Sequence, residues 1–130
     1  MLGWSWAEER LVASRNYWIV TSGDQGPAAA PVWGVWDGAL YFGTNPESQK
    51  GRNLSRDPRV VVHLESGDEV VILYGVIARE DLPEPLVDAY DAKYDYRPQH
   101  TQGWFVLRPQ RAVAWVERDY PKTATRFDFA

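Results

Sequence analysis

The sequence predicts a mainly β fold, a small closed or split antiparallel barrel with a few short helices, spanning residues 1–130 as one domain. Five or six consecutive short segments are rich in aromatic and β-branched residues, as strands are. Tight turn chemistry separates them at residues 22–27, 37–38 and 66–68. No repeat or linker interrupts the series, and closing it on itself would remove exposed strand edges.

Residues 5–14 read as a short helix, with Ser5 as N-cap, Glu8 completing a capping box, and Leu11 and Val12 facing inward. Residues 17–21 form a strand, and the turn residues after them lead into a second extended run. In that run Pro31, Trp33 and Val35 share one face while Val32, Gly34 and Trp36 share the other. Both faces are apolar, which predicts that both are covered. Asp37-Gly38 has the chemistry of a two-residue hairpin turn, whose central positions need positive φ, and residues 39–44 return as the third strand. Residues 59–65 and 69–79 are two further strands, and residues 104–117 supply a long final one. One helix follows the third strand. Another spans residues 81–94, with Pro83 and Pro85 in its first turn and Leu86, Tyr90 and Tyr94 spaced along one face. The tail, residues 120–130, is aromatic enough to dock rather than fray.

Composition excludes several function classes. The net charge is −4, the pI is near 5.1, and no block of Lys and Arg runs along the chain. No nucleic-acid partner is expected. There is no cysteine, so disulfides, thiol catalysis and thiolate metal sites are absent. His63 and His100 are too few and too far apart for a metal cluster, and no metal is expected. The N-terminus lacks a basic region followed by an apolar core, and no apolar run approaches the ~18 residues that span a bilayer. The expectation is a cytoplasmic protein without a membrane partner. Arginine far outnumbers lysine, and Trp, Ala and Asp are abundant, as a GC-rich, actinobacterial genome would produce.

Residues 31–59 carry the chemistry. They place two aromatic-rich strands, a wall for a flat ring, ahead of a helix start suited to an anion. Asn45 has the chemistry of an N-cap and Pro46 suits the first helical position, which puts Ser48 and Lys50 in the first turn and a half. Free N–H groups at such a start hold phosphate, with Lys50 neutralising it and Ser48 hydrogen-bonding it. An ordinary capped surface helix with solvated basic residues would show the same residues, and spacing alone does not separate the two.

The string Gly43-Thr44-Asn45-Pro46-Glu47-Ser48-Gln49-Lys50, followed by Asn53-Leu54 and Asp57-Pro58-Arg59-Val60, resembles the FMN-contacting segment of pyridoxamine 5'-phosphate oxidase. Pro31-Val32-Trp33, Leu40-Tyr41-Phe42, Trp104-Phe105 with Leu107 and Pro109, and Thr125-Arg126-Phe127 resemble the short actinobacterial members of that FMN-binding split-barrel family. These sit within the flavin and deazaflavin oxidoreductase superfamily. The likeness runs from about Trp18 to Phe129.

The resemblance implies an antiparallel, Greek-key-like split barrel and a homodimer with FMN or the deazaflavin coenzyme F-420 at the subunit interface. It implies that Ser48 and Lys50 contact the cofactor phosphate, that Thr44 lies beside it, and that Asn53 supports the site from the helix. Pro31, Val32, Trp33 and Gly34 would flank the tricyclic ring. Trp104 and Arg126 would reach the same groove from the other subunit. Gln49 stands where the oxidase has arginine, removing one phosphate contact. The oxidase's basic residues near its second strand have no counterpart in Ala28, Ala29, Ala30 and Pro31. Genuine pyridoxamine 5'-phosphate oxidation is therefore not expected.

The reading that follows is an FMN- or F-420-dependent oxidoreductase passing hydride between the cofactor and a small conjugated substrate. Its alternatives are a non-catalytic protein that binds or sequesters flavin or haem, and an interaction module that has lost the cofactor. No residue stands out as the proton donor: His63 alternates with Val60, Val62 and Leu64 as a strand residue, Tyr41 reads as core, and His100 lies in a polar loop.

Overall fold

The computed structural model describes residues 1–129. Ala130, the last residue of the predicted tail, lies outside them. Eight antiparallel strands form a half-barrel with four short helices. The strands are β1 (Tyr17–Gly23), β2 (Gly26–Val32), β3 (Gly34–Trp36), β4 (Leu40–Phe42), β5 (Arg59–His63), β6 (Glu69–Glu80), β7 (Trp104–Val116) and β8 (Thr125–Asp128). The helices are α1 (Trp4–Ala13), α2 (Gln49–Arg56), α3 (Glu84–Tyr94) and α4 (Tyr120–Thr123). Strand order is β2-β1-β5-β6-β7-β4-β3, and β8 adds to β7. The long β6–β7 pairing is its backbone, with one register shift at Tyr74 and Gly75 that bends it.

Period-two patterning sets the inner face. Ile19, Val62, Leu73 and Ala112 are fully buried, together with Phe42, Leu107 and Leu11 from α1. A second core forms where α3 lays Leu86, Tyr90 and Tyr94 against Val35, Tyr41 and Val106, the helix face that the spacing predicted. The tail docks as expected: Phe127 and Phe129 pack on Trp4 at ring-centroid distances of 5.1 and 4.8 Å.

Several local expectations are corrected. Residues 31–36 are not one strand; β2 ends at Val32 and β3 begins at Gly34. The break has a cause in α3, because the Tyr94 hydroxyl accepts from Gly34 N–H at 2.9 Å and Lys93 Nζ donates to Gly34 O at 2.9 Å. Pro31 and Trp33 are exposed, so that face is not covered within one chain. The turn after β3 is a three-residue loop, since Trp36 pairs with Leu40, and only Gly38 has positive φ there (70°).

Helix starts also differ. Gly3, not Ser5, is the N-cap of α1, no side chain caps it, and Glu8 instead accepts from Trp36 Nε1 at 3.0 Å. Val12 faces solvent. Helix α2 begins at Gln49 with Ser48 as N-cap, not at Pro46 with Asn45. Helix α3 begins at Glu84, later than predicted, with Pro83 as its N-cap. Among the described residues no helix is long and apolar enough to cross a membrane.

Candidate functional site

The start of α2 is built by its own sequence. Asn45 Oδ1 accepts from Glu47 N–H at 2.9 Å, an Asx turn that bends the chain after β4. Ser48 Oγ donates to Asn45 O at 2.6 Å and accepts from Gly51 N–H at 3.2 Å, closing the cap. Thr44 Oγ1 lies 3.4 Å from Ser48 Oγ. A side chain at Gly51 would put its Cβ 2.5 Å from Asn45 O, so only glycine lets the turn fold back on the helix. The N–H groups of Gln49 and Lys50 have no acceptor among the described residues, as expected of a first turn.

Lys50 is half-buried and makes no ion pair among the described residues. With Gln49 it borders a groove of about 150 Å³ floored by Ile19, Thr21 and Ala28 to Ala30. The three alanines that replace the oxidase's basic strand thus provide room, not charge. Gln49 does not reach out as an arginine would: its Nε2 donates to Asn53 Oδ1 at 2.7 Å and its Oε1 accepts from Arg52 at 3.1 Å. Asn53 is fully buried, and its Nδ2 donates to Thr21 Oγ1 at 3.0 Å, which pins α2 to β1. Asp57, the C-cap of α2, is held down near a pKa of about 2 by hydrogen bonds from Arg59.

The remaining predicted residues divide. Pro31 pairs with Trp18 and Val32 with Tyr17 across β1 and β2. Trp33 is 39% exposed and stacks on Tyr94 at 4.4 Å, with the Arg15 guanidinium 5.1 Å from its ring centre. Gly34 directs both backbone polar groups to α3 rather than outward. Trp104 is buried, donates Nε1–H to His100 O at 2.8 Å, and lies in the same chain's cleft as Thr44. Arg126 is exposed on β8, pairs with Asp128 at 3.0 Å, and sits far along β7 from Trp104. One chain therefore assembles Thr44, Ser48, Gln49, Lys50, Asn53 and Trp104 around the start of α2, but not Arg126.

Beside this site opens a cleft of about 560 Å³, between the 43–46 loop, the end of β6, α3 and the 95–103 loop. Thr44, Arg79, Tyr90, His100 and Trp104 line it. Burial pushes the Tyr90 phenol up to about 12, which makes it a weaker acid than an ordinary phenol. Sequence reasoning placed Tyr90 in the core and passed over Arg79. No local signal marks Arg79, because its position depends on the 95–103 loop returning over β6. His63 lies on β5, its ring parallel to Trp18 at 6.2 Å and its Nδ1 2.8 Å from Leu64 O.

A third cluster lies under Trp33. Lys93 Nζ donates to the Tyr17 hydroxyl at 2.8 Å, and that hydroxyl donates to Leu11 O at 2.5 Å. Burial, with Arg15 nearby, brings Lys93 down to about 8, and burial pushes Tyr17 strongly upward.

Comparison with known proteins fits this geometry. The fold is shared with the conserved hypothetical protein Rv2991 from Mycobacterium tuberculosis, at 25% identity and a TM-score of 0.75, over 91% of this chain and 87% of that one. A heme binding protein from Mycobacterium smegmatis matches at 22% identity and a TM-score of 0.71, over 98% of this chain and 59% of that one. An F420 reductase matches at 23% identity and a TM-score of 0.62, over 80% of this chain and 94% of that one. No curated protein matches the sequence. The family model for pyridoxamine 5'-phosphate oxidase matches residues 7–116, spanning α1 through β7 and the whole α2 site, and the chain belongs to that family.

Proposed function

We propose that this chain is a flavin- or deazaflavin-dependent oxidoreductase that holds the cofactor phosphate at the start of α2. The observation that carries the reading is Lys50: a cation without a carboxylate partner among the described residues, beside two N–H groups equally without an acceptor there and an alanine-floored groove. These residues fit a phosphate monoester or diester. Ser48 and Thr44 add hydroxyls, and Asn53 fixes the helix that presents them. The bound FMN or F-420 would supply hydride to a small conjugated substrate, which is reduced as the cofactor is oxidised. The chain's own task is to hold both partners and exclude water.

A homodimer completes the proposal. Cross-strand partners run in two rows over the outer sheet face: Val20, Val61, Tyr74 and Arg111 in one, and Trp18, His63, Ile72 and Val113 in the other. All are half-buried in the lone chain. Arg126 extends the second row, so a second copy on this face would bring it toward the partner's groove. Such a patch resembles the core of an interface more than a solvated surface.

Titration of the purified protein with FMN and with F-420, followed by fluorescence quenching, tests the reading. Micromolar binding of one is expected, and Lys50→Ala should weaken it by about 1.5–3 kcal/mol, the value of a charged hydrogen bond. Binding of neither rejects it. Binding without turnover of any electron acceptor would favour the sequestering role, to which the likeness to a heme binding protein adds.

A further inference from the structure

The 560 Å³ cleft beside Thr44 has a feature that the cofactor reading leaves unused. Arg79, near the end of β6, is held in place without being neutralised. Its Nε–H donates to Gly103 O at 2.6 Å, and its guanidinium carbon lies 4.2 Å from the centre of the Phe105 ring, its cross-strand partner on β7. Both terminal nitrogens lack a partner among the described residues. Most arginines of the chain behave otherwise: Arg10, Arg56, Arg59, Arg97, Arg108 and Arg126 each pair with a carboxylate. No Asp or Glu lines the cleft, and Asp81, close by in sequence, accepts instead from Gly103 N–H at 3.1 Å.

The opposite wall is aromatic. Trp104 is buried to 6% exposure and meets Tyr90 edge-on at 5.4 Å. Tyr90 is itself only 8% exposed, and its hydroxyl, which has no protein partner among the described residues, is open to the cleft rather than sealed in the core. Tyr96, 54% exposed, stands at the rim. The volume falls within the roughly 300–1,000 Å³ usual for small-molecule sites.

A preorganised guanidinium fork across from a flat apolar wall, with one unpaired phenol, is the chemistry that takes a planar carboxylate. We infer that this cleft binds a small aromatic or conjugated carboxylic acid, its carboxylate on the Arg79 fork and its ring against Trp104 and Tyr90. A neutral molecule of the same shape would forgo the charge-assisted pair with this exposed guanidinium and bind more weakly. The cleft adjoins the proposed cofactor site and shares Thr44 and Trp104 with it, while Arg79 and Tyr90 belong to the cleft alone; as the place where the reducible substrate sits, it rests on the function proposed above.

The test is isothermal titration of the purified full chain with 2-naphthoate and with 2-naphthamide, its neutral counterpart. Naphthoate should bind at least ten-fold more tightly than the amide, and Arg79→Gln should bring the two together. In the unaltered protein, the Arg79 Nε–H resonance should shift with naphthoate and stay put with the amide, a readout that needs no variant. Equal affinities, an unmoved Arg79 resonance or undiminished naphthoate binding in Arg79→Gln would overturn the assignment. Naphthoate binding in a protein that takes neither FMN nor F-420 would reject the redox function while keeping this site.

Discussion

Lys93 Nζ donates to Gly34 O at 2.9 Å, so a lysine near the end of α3 closes the gap where the second strand run breaks into β2 and β3. The same ammonium donates to Tyr17, whose hydroxyl reaches Leu11 in α1. Three elements thus meet on one half-buried cation, and Trp33 is left stacked on Tyr94 at the surface above it.

That cation makes stability depend on alkaline pH. Its folded-state pKa is about 8 against an ordinary value of 10.5. Between those values the unfolded chain binds more protons, so folding becomes more favourable as pH rises from about 8 toward 10. Above about pH 10 the raised Tyr17 and Tyr90 oppose this, because the folded state then retains protons that the unfolded chain loses. Urea midpoints at pH 7.5 and 9.5 should rise in the native protein and rise less in Lys93→Met. Parallel pH slopes in the two would refute the assignment.

Asn53 joins α2 to β1 through Thr21 and also anchors Gln49. Asn53→Leu leaves the Thr21 hydroxyl buried without a partner and should cost about 1–3 kcal/mol in chemical denaturation. Cofactor affinity should fall with it, since the helix start loses its support. A fall in stability with full affinity would separate the two roles.

Gly51→Ala tests the folded-back turn. An added Cβ would meet Asn45 O at 2.5 Å and Pro46 O at 2.7 Å, both backbone atoms. The 45–48 turn must move, at a cost of about 1–3 kcal/mol. FMN or F-420 titration should then show affinity reduced at least as far as in Lys50→Ala, while near-native affinity would place the phosphate elsewhere.

The outer sheet face predicts an assembly. Val61→Glu places a charge between Val20 and Tyr74, its cross-strand neighbours in one row of that face. Sedimentation should change from dimer to monomer with the fold retained by circular dichroism. A native protein that sediments as a monomer would remove the dimer from the proposed function.

Much of the fold was legible because strands announce themselves locally. Aromatic and β-branched runs marked the segments of β1, β5, β6 and β7, and four-residue spacing placed Leu86, Tyr90 and Tyr94 on one face of α3. The boundaries were not, for causes that are tertiary at Glu8 and Gly34 and local at Asn45. Glu8 has the position of a capping-box residue but is drawn to Trp36 Nε1, and Asn45 yields the cap to Ser48 by turning its own side chain onto Glu47. Gly34 reads as strand until α3 takes its backbone groups.

The sequence by itself determined the family, the barrel and the presence of a short helix after β4, because strand alternation and turn chemistry are local, although it set the start of that helix too early. Only the tertiary structure decided that Asn53 is pinned to Thr21, that Trp104 shares a cleft with Thr44, and that Arg79 keeps a guanidinium without a carboxylate partner among the described residues in that cleft. Those facts depend on segments more than twenty residues apart meeting in space, and no local periodicity records such a meeting.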